Sequence, residues 1–210
     1  LWSEKPVLYL ATRLDTSPGE KTVQPWELSR SWDYAPKKNI QVICYTNLTE
    51  VELFCNGKSR GTQRRDEDHE YITWTIPFER GKLEVRGTAA AVDTLESTLP
   101  AVNLRLGEWK NACGEKYPAQ AGKYRITQIE AELLDEEGRL CPTADNLIHV
   151  SLTGPGKILG LENGDLSDCT EYAAPARRAY RGRLIIYALV EGKGVSVTAS
   201  AEGIPPAVIS

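Results

Sequence analysis

The 210-residue sequence contains no methionine, only two histidines and only two phenylalanines. No apolar run approaches the roughly 18 residues that a membrane-spanning helix needs. The five cysteines lie at least 11 residues apart, so there is no C-x-x-C pair for a metal or a redox site. A zinc site would therefore need His69 and His149 to converge from distant parts of the chain. We expect no metal, no cofactor and no membrane partner.

A charge of one sign is also missing. The 25 basic and 29 acidic residues are mixed along the chain and leave a net charge of −4. Binding to nucleic acid requires a basic face, so no nucleic-acid partner is expected. Hydrophobic residues make up 41% and charged residues 26%, which is typical of globular domains. Because the sequence has neither a signal peptide nor an initiator methionine, we expect it to be a piece of a longer protein.

The number of cysteines is odd. A disulfide framework is not expected, since domains of this size do not depend on one. If residues 46–49 form a hairpin loop, Cys44 lies opposite Val51 and is too far from Cys55 for a bridge. We expect free, mostly buried thiols that act as small hydrophobic side chains. The five are Cys44, Cys55, Cys113, Cys141 and Cys169. They do not indicate a compartment.

What the sequence does contain is a period of two, the mark of strands with one buried face. Residues 40–45, 50–55 and 71–76 alternate in this way, and Asn56-Gly57 is typical of a tight hairpin turn. Residues 184–190 are apolar on both faces, which predicts a central strand that is covered on each side. The pattern predicts an all-β chain of antiparallel β-sandwiches that is nearly free of helix.

The domain division is predicted from an unpatterned stretch at residues 107–123, which has three glycines and one proline. A strand near residues 101–106 would close the first sandwich. We therefore expect one sandwich over residues 1–110 and a second over residues 120–210.

Two groups of residues are candidates for binding. Trp26, Trp32 and Tyr34 precede the first clear hairpin and could stack on sugar rings if they are exposed; the alternative is that they pack in a core or at a domain interface. The turn Asn163-Gly164-Asp165 offers two side-chain oxygens for a local role. Turn chemistry alone also explains these three residue types. No residues match a hydrolytic triad or a glycosidase carboxylate pair, so we expect no catalytic residue.

Several runs resemble a known family. Residues 39–47 read NIQVICYTN, residues 50–59 read EVELFCNGKS and residues 74–83 read WTIPFERGKL. They are similar to the β-sandwich domain that follows the catalytic barrel in bacterial family 2 glycoside hydrolases of the β-galactosidase group. Residues 154–165, which read GPGKILGLENGD, and residues 178–182, which read RAYRG, resemble the last immunoglobulin-like domain of the same enzymes.

The resemblance implies two tandem immunoglobulin-like sandwiches and a place in a larger enzyme. In that family the two catalytic glutamates lie in a (β/α)₈ barrel, and nothing here resembles either motif. It implies a non-catalytic accessory region whose partners are the remaining domains of a parent glycosidase, with carbohydrate and a second copy as further candidates. The compartment stays open, with a periplasmic or extracellular parent favoured. A carbohydrate-binding module and a surface adhesion module remain as alternatives, because fold does not fix function.

Overall fold

A computed structural model describes residues 4–16, 28–88, 90–110, 119–121 and 124–210. These residues form sixteen strands and no helix, which confirms the prediction of an all-β chain. No helix long and apolar enough to cross a membrane is therefore found in the described part of the chain. The contacts divide the chain into a first unit, Leu1–Ser97, and a second unit, Thr98–Ser210.

The first unit is a sandwich of two antiparallel sheets, one with the strand order β1-β2-β5 and the other with the order β4-β3-β6-β7. Its strands are β1 (Leu8–Leu14), β2 (Asn39–Thr46), β3 (Glu50–Cys55), β4 (Lys58–Arg64), β5 (Tyr71–Pro77), β6 (Lys82–Arg86) and β7 (Val92–Glu96). The alternate side chains of both sheets meet in one core. Leu10, Val42 and Ile72 come from the first sheet, while Leu53 and Val85 come from the second. The period of two in the sequence therefore marks the buried faces.

The second unit contains a sheet with the order β12-β14-β10-β8, with β9 paired to β10, and a sheet with the order β13-β11-β15-β16. Its strands are β8 (Asn103–Glu108), β9 (Ala119–Ala121), β10 (Tyr124–Leu134), β11 (Leu147–Thr153), β12 (Gly156–Glu162), β13 (Ala176–Arg178), β14 (Arg183–Val190), β15 (Ser196–Ala201) and β16 (Ile204–Ile209). It has its own core, in which Leu133, Leu161 and Ile186 face Ile148 and Ala199.

The connection between β2 and β3 differs from the prediction. Residues 46–49 do not form a hairpin loop, because β2 pairs with β1 and β5 whereas β3 pairs with β4 and β6. Cys44 consequently lies opposite Leu10 and Ile72 rather than opposite Val51. An alternating pattern shows which face of a strand is buried, but it does not identify the neighbouring strand. The next turn is as predicted: Asn56 and Gly57 have φ values of 52° and 76° and join β3 to β4.

The strand expected near residues 101–106 is observed as β8, but its assignment to the first sandwich is wrong. It pairs with β10, with Leu106 opposite Ala131 and Leu104 opposite Leu133. Both β8 leucines are partly buried against the core of the second unit, which explains this pairing. Much of the unpatterned stretch at 107–123 lies outside the described residues.

β14 is a central strand between β12 and β10, as its apolar sequence predicts. Leu184, Ile186 and Ala188 point into the core and have no exposed surface. On the opposite face, Ile185 and Leu189 are half-buried. The outer face of this sheet therefore presents aliphatic side chains that are only partly covered.

A tight turn after β10 holds a buried carboxylate. The side chain of Asp135 has no exposed surface and accepts hydrogen bonds from the backbone amides of Leu99 (3.1 Å), Glu137 (3.0 Å) and Arg139 (2.9 Å). The guanidinium of Arg139 adds a charged donor at 3.0 Å. Burial by itself would raise the pKa of Asp135, but the amides of Arg139 and Leu99 and the Arg139 charge lower this pKa to about 2.

This turn predicts an acid-sensitive contribution to stability. Since the pKa of Asp135 in the fold lies below its ordinary value of 3.8, the contribution is complete above that value and is lost as the pH falls towards 2. We expect Asp135→Asn to lower the free energy of unfolding of the second unit at neutral pH. The difference from the unmodified chain should shrink between pH 4 and pH 2. Urea titrations at a series of pH values measure this.

The exposed neighbour Glu136 provides the matched control on the same turn. Glu136→Gln should leave the free energy of unfolding within about 0.5 kcal/mol of the original value. A difference between Asp135→Asn and the unmodified chain that stays constant from pH 7 to pH 2 would contradict the interpretation.

Candidate functional site

Two of the three aromatic candidates form a cluster in the first unit. Trp32 has no exposed surface, and its indole Nε1 donates a hydrogen bond to the carbonyl of Glu79 at 2.9 Å. Its ring contacts Phe78 and Tyr34 edge-to-face, with centroid distances of 5.1 Å and 6.2 Å. Tyr34 is half-buried, and its hydroxyl lies 2.7 Å from that of Thr12.

The burial of Trp32 distinguishes between sugar stacking and core packing for this residue. Sugar stacking requires an exposed ring face, and Trp32 presents none, so the core alternative applies to this residue. Tyr34 packs against the same core from its rim. Trp26 lies outside the described residues, and its role in sugar binding stays a prediction.

The Asn163-Gly164-Asp165 turn follows β12 and is built from its own hydrogen bonds. The Asn163 side chain accepts from the amide of Asp165 at 2.9 Å, and Asp165 in turn accepts from the amide of Ser167 at 2.9 Å. Gly164 has a φ of 79°, a conformation that favours glycine, and its amide donates to Glu162 at 2.6 Å. Each of the three predicted residue types is thus used in forming the turn.

Behind this turn lies a buried ion pair, which we call the Arg177–Asp168 clamp. Arg177 is 2% exposed; its Nε donates to the Asp168 carboxylate at 2.9 Å and its Nη1 donates to the Leu161 carbonyl at 2.8 Å. Asn163 donates to the same carboxylate at 2.7 Å. Hydrogen bonds from Thr170, and then those from Arg177 and Asn163, hold the pKa of Asp168 well below its ordinary value.

A cleft of about 490 Å³ lies beside the turn in the second unit, and we call it the β14 cleft. Tyr180 and Arg181 both line the cleft. Tyr180 is 38% exposed, and the Arg181 guanidinium lies 5.5 Å from the centroid of its ring. Two carboxylates also line the cleft, but Glu130 is paired with Arg183 at 3.2 Å. The other carboxylate, of Glu162, accepts the Gly164 amide of the turn. Both carboxylates of the β14 cleft are therefore already engaged in the fold.

The carboxyl groups of the described residues do not resemble those of a glycosidase active site. Retaining and inverting glycosidases need an acid whose pKa is raised. Among the described carboxyl groups, each resolved pKa shift is downward. Burial opposes the shift at Asp93, but Arg30 and the Leu10 amide outweigh it; at Glu84 hydrogen bonds from Lys82 and Arg86 lower the pKa. The four lowered groups are Glu84, Asp93, Asp135 and Asp168.

Cysteine and histidine side chains are the candidate metal and redox ligands of the chain. Cys44, Cys55 and Cys141 are buried thiols and Cys169 is an exposed one; Cys113 lies outside the described residues. Burial raises the pKa of Cys44 to about 12, which keeps the thiol protonated. Within the described ranges, no group of three or more histidine, cysteine or acidic side chains is arranged to hold a metal ion.

Comparison with protein families gives two matches. Residues 115–210 match glycoside hydrolase family 2 C-terminal domain 5, and residues 37–91 match a domain of unknown function (DUF4982). The chain is 32% identical over 181 residues to the beta-galactosidase BoGH2A of Bacteroides ovatus, which covers 85% of this chain and 21% of the relative. It is 26% identical over 208 residues to a putative beta-glucuronidase of Formosa agariphila, covering 95% of this chain and 18% of the relative. The chain belongs to the family 2 glycoside hydrolases.

Solved structures of the family agree with this assignment. A glycosyl hydrolase family 2 member from Bacteroides cellulosilyticus superposes with a TM-score of 0.80 at 26% identity, over 99% of this chain and 29% of that one. A beta-glycosidase from Bacteroides vulgatus gives a TM-score of 0.68 at 27% identity, over 99% of this chain and 25% of that one. The chain therefore corresponds to an accessory part, well under a third of the length, of much longer family 2 glycosidases.

Two features of this glycoside hydrolase region were not predicted from the sequence. Arg177 and Asp168 stand in polar segments that suggest surface charges, and nothing local indicates that the arginine is buried. Three tyrosines, Tyr9, Tyr45 and Tyr71, come from separate parts of the chain and become neighbours only through strand pairing. Both features depend on long-range contacts that residue patterns do not encode.

Proposed function

We propose that this chain is the non-catalytic accessory region of a longer glycosidase and that it supports hydrolysis carried out elsewhere in the parent protein. The observation that carries the proposal is the match of nearly the whole chain to a minor part of much longer glycosidases. The lowered pKa values of Glu84, Asp93, Asp135 and Asp168 support it, because they favour the ionised form that a catalytic acid must avoid.

The parent's remaining domains are the proposed main partner. The partly covered aliphatic side chains on the outer face of the β14 sheet offer apolar area for such a contact. A second copy of the chain is a further proposed partner, and sedimentation velocity would show it as a dimer. From the names of its relatives, we propose that the parent acts on β-galactosides or β-glucuronides.

The proposal predicts that the purified chain hydrolyses no glycoside. We expect no turnover of aryl β-galactosides, aryl β-glucuronides or aryl β-glucosides above the rate without protein. An active family 2 glycosidase assayed beside the chain shows that the substrates and conditions are adequate. Turnover that a single Asp→Asn or Glu→Gln substitution abolishes would show that the chain contains a catalytic site.

A further inference from the structure

One face of the first unit carries a row of aromatic side chains that the accessory role does not explain. Strand pairing places Tyr9 opposite Tyr45 and Tyr45 opposite Tyr71, so that the three residues stand side by side across β1, β2 and β5. We call them the tyrosine row. Neighbouring strands lie about 4.8 Å apart, so the row extends over about 10 Å.

The tyrosine row points away from the core. The next residues along the three strands, Leu10, Cys44 and Ile72, are buried in it, and alternation directs the tyrosines to the opposite face. Tyr9 is 47% exposed, and the other two tyrosines are half-buried. The next outward positions on β1 and β2, Ala11 and Ile43, are buried, which confines the available surface of these two strands to the tyrosine end. On β5 the next outward residue, Thr73, is half-buried.

Contacts between neighbouring rings fix the row in place. The rings of Tyr45 and Tyr71 meet edge-to-face at 5.7 Å, and the His69 ring meets Tyr71 in the same manner at 5.3 Å. At the other end, the guanidinium of Arg30 lies 4.6 Å from the centroid of Tyr9. Because the rings are already held by their neighbours, a ligand that stacks on them loses little side-chain entropy.

Polar groups converge at the Tyr71 end of the row. A cavity of about 200 Å³ opens there and is small enough to suit one sugar ring rather than a long chain. Its lining residues are Gln63, Arg64, Asp66, His69, Tyr71, Ile72 and Thr73. The carboxylate of Asp66 lies 3.8 Å from Nδ1 of His69, so a carboxylate acceptor and an imidazole ring lie together beside the aromatic surface.

We infer that the tyrosine row and its cavity form a binding site for the pyranose rings of a carbohydrate. A pyranose has apolar C–H faces that stack on aromatic rings, and hydroxyl groups at its edge that need planar donors and acceptors. The row supplies the stacking surface and the cavity supplies amide, guanidinium, carboxylate and imidazole groups. The inference goes beyond the proposed accessory function, which requires no ligand. A weak site of this kind would keep a polysaccharide close to the parent enzyme.

Binding of defined sugars to the full chain tests the inference. Galactobiose and cellobiose serve as soluble probes in saturation-transfer NMR and titration, and β-galactan and β-glucan serve in affinity gel electrophoresis. We expect at least one probe to bind the unmodified chain. Tyr71→Ala should weaken that binding about tenfold, whereas Tyr71→Phe, which keeps the ring, should retain most of it.

A tyrosine of the second unit provides the matched control. Tyr180 is 38% exposed, compared with 47% for Tyr9, and stacks with an arginine as Tyr9 does, but it lies outside the tyrosine row. Tyr180→Ala should bind the probes as well as the unmodified chain does, and dispersed NMR spectra confirm that each variant is folded. The inference is overturned if no probe binds at millimolar concentration, or if Tyr71→Ala binds as tightly as Tyr180→Ala. Neither result affects the accessory function, which only the hydrolysis assay decides.

Discussion

Trp32→Ala is expected to destabilise the first unit by about 3–5 kcal/mol, the range for truncating a fully buried large aromatic side chain. Trp32 has no exposed surface and lies among Phe78 and Tyr34, so its removal leaves a cavity that rigid neighbours cannot fill. The change also removes the donor to the Glu79 carbonyl. Hydrogen exchange at increasing urea concentrations measures the loss in each unit separately.

A milder variant keeps the test decisive if Trp32→Ala does not fold. Trp32→Phe retains much of the ring and should cost less than half as much, since it mainly loses the indole donor and part of the volume. Val92→Ala, at an exposed position of β7, should change stability by about 0.5 kcal/mol or less. If Trp32→Ala has as small an effect as Val92→Ala, Trp32 does not support the core.

The strands of the first unit show what could be predicted from the sequence. The period-two patterns of β3 and β5 predicted the correct buried faces, because alternation is a local property of each strand. In β2 the predicted face is buried, but Gln41 and Ile43 on the opposite face are buried as well. The strand with which each of these strands pairs could not be predicted from the pattern. β2 and β3 follow one another closely, and a hairpin is the common arrangement, yet here the chain crosses between sheets and buries both apolar faces in one core.

The same limit applies to β8. Its short alternation fits either unit, and only the pairing of its leucines with β10 assigns it to the second. By contrast, Asn56-Gly57 gave the correct turn from two residues, because a positive φ is a local requirement. Local backbone requirements were therefore predictable, whereas the choice between distant partners was not.

The candidate site shows the same division. Turn chemistry at Asn163-Gly164-Asp165 could be predicted from the residue types, and the structure places all three in a hydrogen-bonded turn. Nothing in the residue pattern predicts the Arg177–Asp168 clamp, which holds Asn163 of this turn through the Asp168 carboxylate. Arginine is almost always exposed, so its burial has to be inferred from the groups that surround it, and these come from distant residues.

Arg177→Ala is the change with the largest expected effect on the second unit, about 3 kcal/mol. It leaves the buried Leu161 carbonyl without its donor and removes the cation beside the Asp168 carboxylate. It also removes the guanidinium that lies 4.9 Å from the centroid of Tyr172. Arg177→Lys should recover only part of the loss, because an ammonium group cannot reach the carboxylate and the carbonyl in the same fork geometry. Hydrogen exchange within β12 and β13 reports the change.

Arg178→Ala is the matched control, because this neighbouring arginine is exposed and donates to the Asp145 carbonyl at 3.1 Å. We expect it to cost about 0.5 kcal/mol or less. A double-mutant cycle then separates pairing from packing. If the clamp acts as a unit, Asp168→Ala combined with Arg177→Ala should cost less than the sum of the two single changes, since the carboxylate that Arg177→Ala leaves behind is gone. Additive losses would mean that Arg177 acts through the Leu161 and Asp168 backbone carbonyls and Tyr172, and that the ion pair itself contributes little to holding the turn.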